Sequence, residues 1–222
     1  GAEGADLQER LSDLINSAIA DLDVTKVVLV GGSGGGFAAL YYSALIPNSI
    51  ALVRSPQTNI ANYYGQHVTQ YISNCWPSIS TVEELKNIII TDVSDLYRRD
   101  RQNFVVYLQS TADEMHFYRH MIPFMRALSS RNRGRAILQS DFWGVLGHSN
   151  SVPTEIVWRW ARAICRSEDV ERDAILNAYH AIASEDVAQP SQVATSEKFV
   201  SQAAFSAREM EISRVLAAWG EA

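Results

Sequence analysis

The sequence has few cysteines, no long apolar run and no excess of positive charge. Its two cysteines among 222 residues, Cys75 and Cys165, are far apart and lack the spacing of zinc ligands. This pattern argues against a disulfide framework or a zinc site and is typical of reduced thiols in the cytoplasm. Because no run of about 18 apolar residues occurs, we expect no membrane-spanning helix.

Charge and glycine spacing exclude further classes of partner. Lysine and arginine total 19 against 25 acidic residues, a net charge of -6, which disfavours nucleic acid and anionic membrane surfaces. A dinucleotide fingerprint starting at Gly32 needs glycine at position 37, and a P-loop starting at Gly31 needs lysine there. Phe37 blocks both motifs, so we expect neither a nucleotide nor any other cofactor.

Short apolar runs alternate with stretches of helical periodicity along the first three quarters of the chain. The runs predict strands at 26–30, 49–56, 104–110 and 135–142, and the periodicity predicts helices at 5–21, 36–46, 82–90, 116–130 and 154–167. The wholly apolar run at 26–30 suits a strand buried on both faces. The alternation predicts a three-layer α/β sandwich with a mostly parallel sheet of about four strands.

The composition changes after residue 167. Two helices are predicted at 168–184 and 197–219, with no strand between them. We therefore expect one α/β domain over residues 1–167 and a helical extension over residues 168–222. Within the domain, Pro123 should kink the helix at 116–130 or mark its real beginning.

A serine lies at the corner between the first strand and the helix that follows it. The pentapeptide Gly31-Gly32-Ser33-Gly34-Gly35 fits the pattern G-x-S-x-G, in which small residues two before and two after the serine relieve backbone crowding. The next helix points its N-terminal N–H groups at the serine, where they could stabilise an oxyanion. The competing interpretation is a glycine-rich turn with an incidental serine.

A serine nucleophile requires a base, usually a histidine oriented by a carboxylate. Asp113 follows the third strand and His148 follows the fourth, in the chain order serine, acid, histidine. Alternatively, Asp113 could cap the next helix and His148 could hydrogen-bond a turn. Glu114 is the nearest substitute acid, and Asp141 is a rival that lies close to the histidine loop.

Two further histidines, His116 and His120, lie four residues apart on a predicted helix. That spacing also suits metal ligands, but no acidic residue completes an H-E-x-x-H motif. We therefore expect these side chains to be solvated or to pack, and we expect no bound metal.

With these residues in hand, the chain resembles the α/β-hydrolase superfamily over residues 22–167. The resemblance implies that Ser33 is the nucleophile, His148 the general base and Asp113 its orienting acid, with the Gly34 N–H as one oxyanion donor. It implies hydrolysis of an ester or related acyl bond in a small-molecule or glycan-linked substrate. The segment RSPQTNIANYY also resembles a stretch of bacterial hydrolase-like proteins associated with surface polysaccharide or glycan loci.

The chain departs from the family pattern ahead of the serine, where only about 25 residues, predicted as one helix, precede the first strand. Family members carry further strands there, with the loop that gives the second oxyanion N–H. We expect either an N-terminally truncated domain or a sheet of four strands. Loss of one oxyanion donor would cost roughly 3 kcal/mol in the barrier. The alternative function is therefore a non-catalytic protein that binds a glycan or a protein partner.

Aromatic residues are concentrated between the second strand and the next helix. This stretch, residues 57–80, has no clear period and contains Tyr63, Tyr64, Tyr71 and Trp76. The family places a cap or substrate-facing insertion here, so these rings could line an acyl or sugar pocket. More often, such a cluster forms the core of the insertion itself.

Overall fold

A computed structural model describes residues 5–22, 24–144, 146–148 and 152–188. Its centre is a four-stranded parallel sheet in the order β1-β2-β3-β4. The strands are β1 (Val28–Gly32), β2 (Ile50–Pro56), β3 (Phe104–Ser110) and β4 (Ala136–Asp141). The predicted α/β fold with a parallel sheet and a helical C-terminal part is confirmed. Because all four strands run the same way, their carboxyl ends lie along one edge of the sheet.

Helices connect the strands and cover both faces of the sheet. They are α1 (Ala5–Leu22), α2 (Ser33–Ser43), α3 (Gly65–Cys75), α4 (Val82–Leu85), α5 (Ser94–Tyr97), α6 (Glu114–His116), α7 (Ile122–Ala127), α8 (Ser130–Gly134), α9 (Thr154–Arg166) and α10 (Arg172–Ala188). A 3₁₀ turn spans Ile60–Asn62, and a π-helical segment, Phe117–Met121, joins α6 to α7.

Successive side chains of β2 and β3 point to opposite faces of the sheet and so divide the core into two clusters. Val53 and Tyr107 face a cluster that includes residues of α2, α5 and α7, whereas Leu52 and Val106 face α9 and the start of α10. Every residue of β3 is buried. This is the pattern of a parallel strand with helices on both sides.

The first strand differs from the prediction of complete burial. Val30 is 59% exposed, and no residue of β1 is fully buried. The reason is its position, because among the described residues β1 pairs with β2 alone. An apolar β-branched run therefore identified the strand correctly but not its place at the edge of the sheet.

Other differences concern the helices. The helix predicted from residue 36 begins at Ser33, and the stretch at 57–80 contains α3. Pro123 is the second residue of α7 and follows the π-helical segment, a position where its missing N–H breaks no helical bond. The predicted helix at 116–130 is thus divided at this point.

The chain divides into two compact units, residues 1–179 and residues 180–222. The described part of the second unit is the last portion of α10. The helix predicted at 197–219 lies outside the described residues. Within the part of the chain that the structure describes, no helix is long and apolar enough to cross a membrane.

Candidate active site

Ser33 occupies a strained corner between β1 and α2. Its φ is +51°, in the left-handed region that non-glycine residues rarely adopt, whereas the preceding Gly32 is extended with φ -125°. Ser33 is the first residue of α2, so the chain changes from strand to helix within one residue. Strain of this kind is concentrated at functional sites.

Two glycines, Gly31 and Gly36, permit this corner, and only Gly31 is one of the two glycines of the G-x-S-x-G motif. A Cβ on Gly31 would lie 2.2 Å from the carbonyl oxygen of Gly35, so residue 31 must be glycine. A Cβ on Gly35 would meet no atom within 4 Å. Gly36 takes its place, because a Cβ there would lie 2.5 Å from Cβ of Pro56. The crowding therefore comes partly from β2, which a local motif does not report.

The chain leaving β2 runs directly beside the serine. Ser33 forms an isolated parallel bridge with Pro56, and the Gln57 N–H donates to the Ser33 carbonyl at 2.9 Å. The Gln57 side chain Nε2 donates to Ser33 Oγ at 3.2 Å. Gln57 was not among the predicted site residues. The one feature of the sequence that could have indicated it is its position as a polar residue immediately after a strand.

Asp113 follows β3 and is 3% exposed. Its Oδ1 accepts from the backbone N–H of His116 at 3.3 Å, which makes Asp113 the N-cap of α6. Oδ1 is also 3.0 Å from His116 Nδ1, and Oδ2 is 2.7 Å from His148 Nδ1. Asp113 is therefore a helix cap as well as a partner of both histidines, and its role as the orienting acid of a catalytic serine stays a prediction.

The electrostatics of Asp113 keep it ionised. Burial by itself would raise the pKa of this carboxyl, but the hydrogen bonds from His116 and His148 outweigh burial and hold the pKa well below its ordinary value. A permanent carboxylate fixes the proton of each neighbouring neutral ring on Nδ1. The lone pair of the neutral His148 ring is therefore on Nε2.

His148 lies in the loop after β4, and a glycine holds that loop in place. Gly147 has φ +83°, and its N–H donates to the carbonyl of Ala112 at 3.1 Å, which ties the loop to the end of β3. The His148 side chain is 33% exposed, and its ring stacks on His116 with centroids 3.9 Å apart.

His116 and His120 are fully buried. Of the two roles expected for them, they therefore pack in the interior and are not solvated. His120 Nδ1 accepts the backbone N–H of Thr58 at 3.0 Å, and Thr58 Oγ1 donates to the His120 carbonyl at 3.1 Å. Burial, with His116 nearby, lowers the pKa of His120 to about 3, so it is neutral at physiological pH. The signal for His116 was the Asp-x-x-His spacing, which puts both side chains on one helical face.

Asp113, His116 and His148 each offer one metal-ligating atom, and these atoms lie within 4.8 Å of one another. The two rings are nearly parallel, however, with 13° between their planes. Imidazole lone pairs lie in the ring plane, so two stacked rings cannot both direct one at a single ion without turning. The arrangement suits a hydrogen-bonded pair of histidines on one carboxylate better than chelation.

A cavity of about 660 Å³ opens beside the serine corner, and Gly34 and Gln57 form part of its wall. Most of its remaining lining is apolar or aromatic and comes from α1, α2, the 3₁₀ turn, α3 and the segment after α4. These residues include Leu7, Phe37, Ile60, Tyr63, Val68, Tyr71, Trp76 and Ile89. Trp76 also packs with Leu85 and Ile89 as a small core of its own, so the aromatic stretch both lines a pocket and forms a core.

The rival acids do not join this cluster. Asp141 is exposed and accepts the N–H of Phe142 at 2.7 Å, and Glu114 is exposed on the first turn of α6. Ser33, Asp113 and His148 follow β1, β3 and β4, at the common edge where the carboxyl ends meet. The hydrogen bond between Ser33 Oγ and His148 Nε2 that nucleophilic catalysis requires stays a prediction.

Comparisons of the chain with protein-family models, with curated proteins and with solved structures give no match. The functional interpretation therefore rests on the geometry of the corner, the shared carboxylate and the cavity.

Proposed function

We propose that this protein is a serine hydrolase that cleaves an ester or related acyl bond through Ser33, His148 and Asp113. The hydrogen bond of 2.7 Å between His148 Nδ1 and Asp113 Oδ2 carries the proposal. A buried carboxylate that holds one tautomer of a partly exposed histidine is the arrangement that activates a serine hydroxyl. The strained position of Ser33 at the same sheet edge supports it.

The reaction follows from these groups in two halves. Ser33 Oγ attacks the carbonyl carbon while His148 Nε2 takes the hydroxyl proton, and the carbonyl π pair moves onto oxygen. When the carbon–oxygen double bond re-forms, the alcohol leaves with the proton from His148, and the acyl group remains on Ser33. Water then attacks the acyl carbon with His148 as base, which releases the carboxylic acid and restores the serine.

The cavity supports an ester with an apolar acyl group. Apolar surface removed from water contributes roughly 0.8 kcal/mol per methylene, and the walls around Val68 and Tyr71 offer such surface. A sugar buried in the same walls would find side-chain partners only at a few residues such as Gln8, His67 and Tyr71, and each hydroxyl left without one would cost roughly 1–3 kcal/mol. We therefore place the acyl chain in the cavity and the alcohol, small or glycan-linked, outside it.

The proposed location is the cytoplasm. Both cysteines, Cys75 and Cys165, are unpaired and exposed, which suits a reducing compartment.

Labelling with a fluorophosphonate probe tests the proposed activity. The probe forms a covalent bond only with an activated serine, so we expect labelling of the wild-type chain and none of Ser33→Ala. Ser73→Ala, at an exposed serine of α3, is the matched control and should label like wild type. Absence of wild-type labelling, or labelling that persists in Ser33→Ala, would favour the alternative of a non-catalytic protein that binds a glycan or protein partner.

A further inference from the structure

Gln57 contacts Ser33 through both its backbone and its side chain. The backbone N–H donates to the Ser33 carbonyl at 2.9 Å, and the side-chain Nε2 lies 3.2 Å from Ser33 Oγ. The backbone bond is independent of the side chain, so it fixes residue 57 relative to the serine. The carboxamide reaches the hydroxyl from this fixed backbone position at the end of β2.

The chemistry of a carboxamide limits what Gln57 can do there. A neutral amide takes up no proton near pH 7, so it cannot serve as the base for Ser33. Its N–H groups donate hydrogen bonds, and Ser33 Oγ can accept one while its own proton points elsewhere. Gln57 is therefore a donor beside the reacting oxygen.

The position of the cavity shows where that donor acts. Gly34 and Gln57 line the same 660 Å³ space, so the residue after the serine and the residue whose amide contacts its hydroxyl border one volume. Once Oγ bonds to a carbonyl carbon, the former carbonyl oxygen is separated from Oγ by that carbon alone. The Gln57 amide, 3.2 Å from Oγ, therefore starts close to that oxygen, and rotation of its side chain can bring an N–H to it.

We propose that the Gln57 carboxamide is an oxyanion donor that acts together with the Gly34 N–H, an assignment that rests on the proposed hydrolase function. As the bond from Oγ to carbon forms, the π pair moves onto the carbonyl oxygen, and the Gln57 N–H binds the resulting negative charge. No proton leaves Gln57, and the hydrogen bond weakens again when the leaving group departs. The superfamily resemblance implies a backbone N–H for this role, so a side-chain donor from the end of β2 is a distinct arrangement.

Substitutions that remove the donor but keep the length of the side chain test the assignment. In Gln57→Met the amide is replaced by an apolar thioether, and in Gln57→Glu by a carboxylate that also repels the oxyanion. Gln70→Glu makes the same chemical change at an exposed position of α3 and serves as the control. Each variant is assayed for ester hydrolysis, for the rate of fluorophosphonate labelling, and for folding by thermal denaturation.

We expect Gln57→Met to lower kcat and the labelling rate by about 10²-fold, with KM within about threefold of wild type, because an oxyanion donor acts only in the transition state. In Gln57→Glu, kcat and the labelling rate should fall further than in Gln57→Met, and in Gln57→Asn they should fall less. Gln70→Glu should match wild type in both. Folded Gln57 variants whose kcat stays within threefold of wild type would overturn the role of Gln57 alone. A wild-type chain that the probe does not label would overturn the hydrolase function and this role with it.

Discussion

Two regions meet at the loop after β2, and they are built from opposite kinds of side chain. The histidine cluster (Asp113, His116, His120 and His148) is polar and mostly buried, whereas the cavity beside Gly34 is lined largely by apolar rings and chains. Consecutive residues join them, since Gln57 contacts Ser33 at the cavity and the Thr58 N–H binds His120 in the cluster. The proposed sites of proton transfer and of substrate binding are thus separated by one peptide unit.

Within the cluster, exposure distinguishes the two histidines that share Asp113. His116 is completely buried on α6, and its Nε2 has no hydrogen-bond partner among the described residues. His148 has the same carboxylate but is one-third exposed on a loop. A base that exchanges protons with substrate and water must be accessible, so the difference in exposure supports the proposed role of His148 as base and suggests a positioning role for His116.

The largest effect should come from Asp113→Asn. Asparagine still caps α6, but it cannot hold the His148 tautomer, so we expect kcat for an acyl ester to fall by about 10⁴-fold. Asp141→Asn is the matched control and should leave kcat unchanged. A large loss in the Asp141 variant, with little loss in the Asp113 variant, would move the orienting acid to β4.

His116→Phe should have the next effect. Phenylalanine keeps a ring against His148 but removes the hydrogen bond to Asp113 Oδ1, and a bond to a charged group contributes roughly 1.5–3 kcal/mol. We expect kcat/KM to fall about 10- to 100-fold. His116→Asn, which restores an N–H donor, should recover part of the loss. If phenylalanine and asparagine behave alike, His116 only fills space.

His120 should make the folded state sensitive to acid. Its pKa in the folded state is lowered to about 3. Between pH 6.5 and pH 3 this histidine is therefore protonated in the unfolded chain but neutral in the folded chain. His120 does not lower the free energy of unfolding above pH 6.5. As the pH falls, this free energy decreases, by about 2 kcal/mol between pH 7 and pH 5.

Urea denaturation of His120→Asn at pH 7 and pH 5 measures this contribution. Asparagine keeps an acceptor for the Thr58 N–H but does not titrate, so its stability should change less between the two pH values than that of wild type. His67→Asn replaces an exposed histidine and should retain the wild-type pH dependence. If the loss of stability between pH 7 and pH 5 is as large in His120→Asn as in wild type, the acid sensitivity arises from other groups.

The smallest effect concerns the cavity. Val68→Trp fills part of it, so we expect the ratio of kcat/KM for hexanoyl over acetyl esters to fall about tenfold, while acetyl hydrolysis is retained. Ile88→Trp, at an exposed position of the same region, should leave the ratio unchanged. Equal loss for both esters in Val68→Trp would show that the acyl chain binds outside the cavity.

Three features could be predicted from the sequence: the alternation of strands and helices, the corner at Ser33, and the order in which Asp113 and His148 follow later strands. Apolar run length and helical periodicity are local properties, and they report strands and helices directly. Parallel strands then bring their carboxyl ends to one edge, so chain order alone placed the three residues at the same edge of the sheet.

The contacts between side chains could not be predicted in this way, because they depend on how distant segments pack. The bond from Thr58 to His120 joins residues 62 positions apart, and the glycine at position 36 is required by Pro56 on another strand. The contact of Gln57 with Ser33 likewise depends on the register of β2 beside β1. These contacts follow from strand order, register and packing, which no single stretch of sequence encodes, because each requires two distant segments to adopt their positions together.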